Sequence, residues 1–395
     1  MKTVGIISEY NPFHLGHAGH IERTKTALGY DCAVVCIMSG NFVQRGDFAI
    51  FNKHARAETA VRCGADLVIE MPSPYVLSSA ECFAAAGVFL LDKLCVCDYI
   101  SFGSESGDVG MLEEVAEALI SAETIALAKE RMAEGLSYAS AMQKAADAVL
   151  GTYSEALKSP NNLLGIEYLK AIARNRSPMR PVTIKREGGD HDGDDGFSAS
   201  ALRKKLLHGE TTQGLIPQAA SMVLMKEIAE GRGPVSIRAC EQAILSRLRY
   251  SGDFSRLHGA VEGLDNRLAR YAASEPTIER ILERVKTKRY TMSRLRRMLM
   301  CACLGITAED TRESPPYIRV LAMNQIGMGI LRTAHIKSEL PIITKPASVK
   351  KMPERAYEIF KKEAMATDFY VLAYRNENER SGGQEWRRTP IIVES

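Results

Sequence analysis

The apolar and polar residues of the chain follow two different patterns, one before and one after about residue 208. In the first part, short apolar runs alternate with stretches in which apolar residues recur every three to four positions. The apolar runs that predict strands lie at residues 3–8, 32–38, 66–71, 97–102 and 181–185. The stretches that predict helices lie near residues 17–29, 52–63, 78–93, 108–130, 138–150, 161–174 and 199–208.

Strands that alternate with helices at this spacing form a parallel sheet with helices on both faces. The first part is therefore predicted to be a doubly wound, Rossmann-like α/β domain. In such folds ligands bind at the carboxyl ends of the strands, where loops lead into the helices. Those loops are the places in which to look for chemistry.

After residue 208 the helical pattern dominates, most clearly through residues 214–304. Strand-like runs are few there, at residues 317–321 and 341–344. No internal repeat or low-complexity tract is visible in either part. The pattern thus predicts two domains, an α/β domain of residues 1–208 and a mainly helical domain of residues 209–395.

The two parts of the chain also differ in net charge. Over all 395 residues the net charge is only +3. Residues 1–200 carry 18 Lys and Arg against 26 Asp and Glu, a net charge of −8, whereas residues 201–395 carry 33 against 22, a net charge of +11. The basic excess favours a polyanionic partner such as nucleic acid for the second part, although a solvated basic helix surface has the same composition.

The composition excludes several classes of protein. Hydrophobic residues make up 46% of the chain and charged residues 25%, as in ordinary globular proteins. No run approaches the ~20 apolar residues of a membrane span, and the first residues do not resemble a secretory signal. The nine cysteines include no Cys-x-x-Cys pair. We therefore expect a cytoplasmic protein with reduced cysteines and no metal site of its own.

The most distinctive local feature is a histidine cluster directly after the first predicted strand. His14, His17 and His20 fall within a window of seven residues, although the chain has only eight histidines in all. The window opens the first predicted helix, and the free N–H groups and the dipole of a helix start attract anions. Imidazole donors there indicate a phosphate site, and Gly16 would let a nucleotide approach the backbone.

A strand followed by His14-Leu15-Gly16-His17 at a helix start resembles the HIGH motif of the nucleotidyltransferase superfamily, whose members direct attack onto the α-phosphate of ATP. Longer motifs are similar to those of the tRNA(Met) cytidine acetate ligase family. They are residues 5–14 (GIISEYNPFH), 39–47 (SGNFVQRGD), 64–70 (GADLVIE), 102–105 (FGSE) and 160–168 (PNNLLGIEY), with a weaker echo at residues 317–321, Asn324 and residues 340–341.

This resemblance implies an enzyme that activates acetate with ATP to acetyl-adenylate. The enzyme would then acetylate the 4-amino group of the wobble cytidine of elongator tRNA(Met), without acetyl-CoA, and magnesium would accompany ATP. His14 and His17 match the histidines that stabilise charge on the phosphates in the transition state. The family's ATP-binding residues carry over to Ile7, Ser8, Glu9, Tyr10, Asn11, Pro12, Phe13, His14, Leu15, Gly16, His17, Ala18, Gly19, His20, Gly103, Asn162 and Arg186.

Some of these carried-over residues have a structural alternative. Asn162 could cap its helix instead of contacting ATP, and the sequence does not distinguish it from Asn161. Arg186 could clamp a phosphate or lie on a solvated surface. Gly103 ends a strand at the edge where nucleotides bind, and a side chain there would crowd the adenine or ribose.

A second phosphate-binding element is predicted at the start of the last helix of the first part. Ser198, Ser200 and Arg203 resemble the second signature of small nucleotidyltransferases, which holds the β- and γ-phosphates, although either serine could be an ordinary N-cap. The acidic, Gly-rich residues 188–196 before them depart from the usual spacing. They are predicted to form a flexible lid in preference to a cation site.

The loop of residues 39–47 follows the second predicted strand and should face the same crevice. Arg45 is a candidate for the phosphates or the tRNA, and Gln44 and Asn41 are candidates for the cytosine edge. Stacking on that base would call for an aromatic partner, Phe42 or Phe13. A purely structural loop is the alternative.

The segment 284–297 contains seven Lys and Arg and no acid. Contacts from such a segment to phosphates would be independent of sequence and sensitive to salt. We expect it to position the tRNA through Lys286, Lys288, Arg289, Arg294, Arg296 and Arg297.

Two functions of other classes remain open from the residues alone. A small-molecule adenylyltransferase would have the HxGH motif and the second signature, but it would not need a basic surface. A non-catalytic nucleotide-dependent protein that binds RNA or the ribosome would have little need for three histidines at the phosphate end. The sequence predicts no oligomeric state.

Overall fold

The computed structural model describes residues 1–136, 138–186, 198–260 and 263–394. Its strands are β1 (Lys2–Ser8), β2 (Cys32–Ser39), β3 (Phe42–Val43), β4 (Asp47–Phe48), β5 (Leu67–Met71), β6 (Tyr99–Ser104), β7 (Arg180–Lys185), β8 (Ile318–Met323), β9 (Ile342–Ile343) and β10 (Ile391–Ile392). The five strands predicted for the first part are all present, and their ends differ from the predicted ends by at most two residues.

The helices are α1 (Leu15–Leu28), α2 (Lys53–Arg62), α3 (Ser73–Val76), α4 (Ala80–Lys93), α5 (Val109–Ile120), α6 (Ala122–Ala133), α7 (Tyr138–Leu150), α8 (Pro160–Asn175), α9 (Ala199–His208), α10 (Gln218–Ala229), α11 (Glu241–Ser251), α12 (Leu264–Ser274), α13 (Ile278–Val285), α14 (Met292–Leu304), α15 (Gln325–Lys337) and α16 (Glu354–Tyr370). Short 3₁₀ helices occupy Gly151–Lys158, Ile237–Cys240, Ala308–Thr311, Pro346–Lys351, Val371–Ala373 and Glu377–Glu379. Within the described ranges, no helix combines the length and the apolar character needed to cross a membrane.

The single helix predicted near residues 108–130 is two helices in the structure, α5 and α6. Ser121 separates them because its backbone is extended, with φ −66° and ψ 150°. Its side chain accepts a hydrogen bond from the N–H of Thr124 and so caps α6. The prediction was wrong here because a serine inside an apolar period can equally be a surface residue of a continuous helix.

The main sheet has the strand order β10-β8-β5-β2-β1-β6-β7, with β9 also paired to β8. β1 lies between β2 and β6 and runs parallel to both. β8 runs antiparallel to β5. The predicted doubly wound parallel sheet is confirmed, with antiparallel β8 as an addition that the sequence did not predict.

Both faces of this sheet are buried because residues alternate along β2 between two apolar cores. Val35 and Ile37 pack in a core shared with α4 and α8. Val34 and Cys36 face the opposite way, into a core shared with α1, α2 and α10. This alternation is why β2 reads as an uninterrupted apolar run in the sequence.

The second half of the chain also contributes to the sheet. The strand-like runs at residues 317–321 and 341–344 were assigned to the helical part, but the corresponding strands β8 and β9 extend the sheet from the edge of β5. Pairing removes an open edge from β5, which sequence periodicity does not reveal. Helices α11 to α14 pack in a separate apolar core that also includes Phe42 of β3, Phe48 of β4 and Tyr370 of α16. The division into residues 1–208 and 209–395 stays a prediction.

Candidate active site

The carboxyl end of β1 lies where the strand order of the sheet reverses. β2 and β5 lie on one side of β1, and β6 and β7 lie on the other side. Loops that leave such a point on opposite faces open a crevice above the sheet. Residues 9–14 connect β1 to α1 at this place, so the histidine cluster lies at the crevice.

His14 and His17 form a close pair at the start of α1, with their rings tilted by 32°. His14 is the N-cap, and its Nδ1 accepts a 3.0 Å hydrogen bond from the N–H of Gly16. The N–H of His14 in turn donates to Nδ1 of His17 at 3.3 Å, and the two ring centroids are 3.8 Å apart. A Cβ at position 16 would lie 2.8 Å from Cε1 of His14. Gly16 is therefore required by the folded-back imidazole itself, which the sequence analysis did not foresee.

Both imidazoles of this pair are neutral. Burial, together with the smaller effect of the positive charges of Arg186 and Arg203, lowers the pKa of His14 to about 4. Burial, followed by the neighbouring imidazoles, lowers the pKa of His17 well below its usual range. Because each Nδ1 accepts a hydrogen bond, the ring proton of each histidine is on Nε2. The pair thus offers two neutral N–H donors at a helix start.

His20 is held apart from this pair, against the neighbouring strand. Its Nε2 lies 3.0 Å from Oγ of Ser101 in β6, and that hydroxyl is 2.7 Å from Oγ1 of Thr24. Burial lowers the pKa of His20 to about 4, with smaller contributions from Arg23 and Arg186. The structure therefore divides the three clustered histidines into a pair and a single residue that joins α1 to β6.

The other carried-over residues of this segment surround the pair. Ile7 and Ser8 end β1, while Leu15, Ala18 and Gly19 lie in the first turns of α1; the loop between them is Glu9, Tyr10, Asn11, Pro12 and Phe13. The rings of Tyr10 and Phe13 lie 5.0 Å and 5.5 Å from the ring of His17. These two aromatic side chains are buried and form the apolar wall that desolvates the imidazole.

The second predicted phosphate element reaches this same loop. Nη1 of Arg203 in α9 donates a 2.8 Å hydrogen bond to the backbone carbonyl of Asn11, and Oδ1 of Asn11 accepts one of 2.7 Å from Ile50. Ser198 is the N-cap of α9 and accepts from Ala201. Ser200 is exposed in its first turn. The predicted lid, residues 188–196, lies outside the described residues.

Gly103 and Arg186 lie together on the other side of β1. A Cβ on Gly103, in β6, would lie 3.3 Å from Cγ of Arg186. The backbone of Arg186 follows β7 and donates to the carbonyl of Ser104 at 2.9 Å. The side chain of Arg186 is exposed. The two predicted residues therefore meet at the crevice, with the Arg186 side chain over the bare backbone of Gly103.

Asn162 does not cap its own helix. The N-cap of α8 is Ser159, which makes no side-chain cap bond. The carboxylate of Glu105 caps α8 instead, accepting from the N–H of Asn161 at 3.3 Å and of Asn162 at 2.8 Å. Oδ1 of Asn162 accepts from the N–H groups of Glu105 and Ser106. Asn162 is buried and fixes the loop after β6, whereas the amide of Asn161 bonds Glu105 and Arg186.

The loop of residues 39–47 is partly structural. Asn41 is buried, and its side chain accepts from Lys53 and donates to Thr367. Phe42 is 0% exposed and packs on Phe48. The expectations that Asn41 contacts the cytosine edge and that Phe42 stacks on the base were wrong, because both side chains fill the interior. Buried Phe13 is excluded from stacking on a base for the same reason.

The exposed tip of this loop meets the basic segment of the second half. Nη1 of Arg297 donates to the carbonyl of Gln44 at 3.1 Å. Gly46 has a φ of +77°, and a Cβ there would lie 2.4 Å from the backbone N of Arg297. Gln44 is partly exposed and Arg45 is exposed. The crevice loop is therefore packed directly against α14.

The basic segment spans the end of α13, a connecting turn and the start of α14. Its side chains at Lys286, Lys288, Arg289 and Arg296 are exposed, and those at Arg294 and Arg297 are partly buried. Arg294 lies over the ring of Tyr290 at 4.8 Å, a cation–π contact that holds its side chain in place. We refer to these six side chains as the basic surface, and Arg297 connects it to the crevice loop through the carbonyl of Gln44.

Comparison with known proteins gives consistent results over the full length. Residues 1–385 match the family model described as HIGH Nucleotidyl Transferase. The tRNA(Met) cytidine acetate ligase of Acetivibrio thermocellus is 38% identical over 419 aligned positions that cover all of both chains. The protein of the same name from Caldanaerobacter subterraneus subsp. tengcongensis is 39% identical over 390 positions, 95% of this chain and 96% of the relative. The chain belongs to the tRNA(Met) cytidine acetate ligase family.

A solved structure agrees with this assignment to the acetate ligase family. The crystal structure of Thermotoga maritima TmcAL bound with alpha-thio ATP is 32% identical and has a TM-score of 0.93 over all of both chains. Membership of a ligase family makes the chain an enzyme. The small-molecule adenylyltransferase and the non-catalytic RNA-binding protein are set aside.

Sequence reasoning missed two charged residues that shape the crevice of this ligase-family chain. One is Glu105, described above. The other is Arg56, whose 0% exposed side chain donates 3.0 Å hydrogen bonds to the carbonyls of Phe51 and Ser39 and also bonds the carbonyls of Glu9 and Gly40. From the sequence, a single arginine in a polar helix is interpreted as a surface residue. No local pattern distinguishes a surface arginine from a buried arginine that binds the backbone of two loops.

Proposed function

We propose that this chain is an ATP-dependent acetate ligase that acts on tRNA. It activates acetate to acetyl-adenylate and releases diphosphate. It then transfers the acetyl group to the 4-amino group of the wobble cytidine of elongator tRNA(Met), forming N4-acetylcytidine. The observation that carries the proposal is the pair of neutral histidines at the start of α1, close to Arg186 and Arg203, in a chain of this ligase family.

In the first step, His14 and His17 act on the phosphates of ATP. Attack of the acetate oxygen on the α-phosphorus moves negative charge onto the phosphoryl oxygens and the leaving diphosphate. Neutral Nε2–H donors fixed before the reaction stabilise that charge without having to reorient. Arg186 and Arg203 supply the positive charge, and Ser198 and Ser200 are further candidates for the β- and γ-phosphates. The remaining carried-over residues are proposed to line the ATP site, with Glu9 at the side that faces the loop after β2.

ATP is proposed to enter as its magnesium complex. Mg²⁺ on a nucleotide keeps several water ligands and requires few protein carboxylates. The described part of the chain has no group of three or more His, Cys, Asp or Glu side chains arranged to hold a metal. The residues present are therefore suited to a metal that arrives with its phosphates.

The basic surface next to the crevice is proposed to hold the tRNA. Lys286, Lys288, Arg289, Arg294, Arg296 and Arg297 would contact phosphates and so position the anticodon loop without reading its sequence. The contact of Arg297 with Gln44 supports this arrangement, because it brings the surface next to the catalytic crevice. The reaction is proposed to take place in the cytoplasm, because elongator tRNA is used there.

One experiment tests the whole proposal. The protein is incubated with MgATP, labelled acetate and bulk tRNA, and the tRNA is digested to nucleosides for mass spectrometry. Acetylcytidine confined to methionine tRNA, with AMP as the other product, is expected. Omission of acetate and the His17→Ala variant serve as controls. Label that depends on acetyl-CoA, or that appears in all tRNAs, would contradict the proposal.

A further inference from the structure

Glu9 is a carboxylate on the side of the crevice away from the predicted nucleotide contacts of β6 and β7. It directly follows β1, and its Oε1 accepts a 2.6 Å hydrogen bond from the N–H of Gln44 in the loop after β2. Gly103 and Arg186 lie on the other side of β1. Glu9 therefore lies on the part of the crevice left for the acceptor, next to the loop that contacts the basic surface.

Hydrogen bonds hold Glu9 in place, but one of its two carboxylate oxygens has no hydrogen-bond donor among the described residues. Arg56 bonds the backbone carbonyl of Glu9 and, at 3.0 Å, that of Ser39. Oε2 of Glu9 accepts no hydrogen bond from the residues that the structure describes, and the side chain is partly exposed. A carboxylate with one oxygen held and one open can accept a proton from a bound group.

The charged surroundings keep this carboxylate usable as a proton acceptor. The groups that face it are Arg56 of α2, Arg203 of α9, Arg45 of the loop after β2 and Tyr168 of α8. Burial raises the pKa of Glu9, and the hydrogen bond from Gln44 and the three guanidinium charges offset only part of the rise. A carboxylate with a raised pKa is a stronger proton acceptor than an ordinary glutamate.

The second step of the proposed reaction needs such an acceptor. When the 4-amino nitrogen of cytidine attacks the carbonyl carbon of acetyl-adenylate, an N–C bond forms, the C–O bond to the phosphate breaks and AMP leaves. The nitrogen must lose a proton in this sequence. His14 and His17 are unsuited to accept it, because each Nδ1 already accepts a hydrogen bond and the low pKa of each ring makes it a weak base.

Resting on the function proposed above, we infer that Glu9 is the catalytic proton acceptor of acetyl transfer. Its Oε2 takes the proton from the 4-amino group as the N–C bond forms and AMP departs. The carboxyl group then returns the proton to solvent, so that the enzyme is unchanged after each cycle.

The test separates the two half-reactions. Synthetic acetyl-adenylate and tRNA(Met) are mixed with Glu9→Gln in single turnover, and acetate-dependent exchange of diphosphate into ATP is measured in parallel. The amide keeps the size and an oxygen for the N–H of Gln44, but it accepts a proton poorly. Transfer should slow by about 10²–10⁴-fold, and exchange should fall far less.

Glu9→Asp should recover part of the transfer rate, and Glu58→Gln on the outer side of α2 serves as the matched control.

The pH profile gives an independent readout. Wild-type transfer should slow as the pH falls through the pKa of Glu9, and this acid limb should be absent from the profile of Glu9→Gln. A persisting acid limb, wild-type transfer by Glu9→Gln, or equal losses in both half-reactions would overturn the inference. Failure of the wild-type protein to acetylate tRNA from acetyl-adenylate would instead overturn the proposed function, because no variant is involved.

Discussion

Nη1 of Arg203 donates a 2.8 Å hydrogen bond to the backbone carbonyl of Asn11, so α9 fixes the loop that carries the histidine pair. Arg203→Ala removes this bond and a positive charge that lies close to His14. A charged hydrogen bond is worth about 1.5–3 kcal/mol, and we therefore expect the KM for ATP in diphosphate exchange to rise about tenfold or more. Lys204→Ala, the exposed neighbour in α9, is the control and should keep the wild-type KM.

His17→Ala should act on the rate and not on tRNA binding. The variant removes one preorganised N–H donor, which typically costs about 10²–10³ in kcat. Acetate-dependent diphosphate exchange measures the loss, and filter binding measures the affinity for tRNA. His208→Ala, an exposed histidine of α9, should match the wild type in both assays. Full exchange activity of His17→Ala would contradict the role proposed for this residue.

The low pKa values of the histidines predict a pH dependence of stability. His14 and His20 each have a pKa of about 4 in the folded chain, against about 6.5 when unfolded. The unfolded chain binds more protons between these values, so the free energy of unfolding should fall as the pH is lowered from about 6.5 towards 4. Urea unfolding at several pH values measures this slope. The His14→Gln and His20→Gln variants should each have a shallower slope than the wild-type protein.

Lys53 joins the two halves of the chain through a buried ion cluster. Its Nζ lies 2.6 Å from Glu70, 3.5 Å from Glu363 and 2.7 Å from Glu385, and all four side chains are buried. Lys53→Met leaves Glu70 and Glu363 without their buried cation, while Glu385 keeps Arg319 at 3.4 Å, and should destabilise the fold by about 3–5 kcal/mol in urea unfolding.

The matched control is a surface ion pair of the same two residue types. Lys93 lies 3.4 Å from Glu339 with exposed partners, so Lys93→Met should change the free energy of unfolding by less than about 1 kcal/mol. Equal effects of the two methionine substitutions would show that burial of the Lys53 cluster contributes nothing.

Neutralising the basic surface should change the salt dependence of tRNA binding. Lys288→Ala combined with Arg296→Ala removes two exposed cations, and the slope of log K against log salt should become shallower by about one per lost phosphate contact. Lys350→Ala combined with Lys351→Ala removes two exposed cations elsewhere and should leave the slope unaltered. An unchanged slope for the first pair would place the tRNA on another surface.

The sequence predicted the parts of the molecule that depend on local order. Strand and helix periods are local, and the parallel sheet follows from them. The histidine cluster is local too, and its place at the start of α1 follows from the strand before it. Gly103 and Arg186 were each predicted at the end of a strand, and their contact follows from the pairing of β6 with β7, which the structure shows.

The parts that the sequence did not predict depend on packing between distant residues. Asn41 and Phe42 have the composition of a recognition loop, but α16 covers them, and nothing near residue 41 indicates that Thr367 lies against it. Glu105 caps α8 from more than fifty positions away. Arg56 is buried by the loops it binds. In each case the decisive neighbour is remote in sequence, and residue type alone favours the surface.

The pairing of β8 with β5 and the ion cluster at Lys53 set an order of events during synthesis. Glu363 and Glu385 leave the ribosome hundreds of residues after the histidine pair. Until they do, the Lys53–Glu70 pair lacks the other two carboxylates of the cluster and the edge of β5 stays open. The nascent chain therefore carries its complete nucleotide motif long before the residues that complete the sheet edge and the ion cluster have been made.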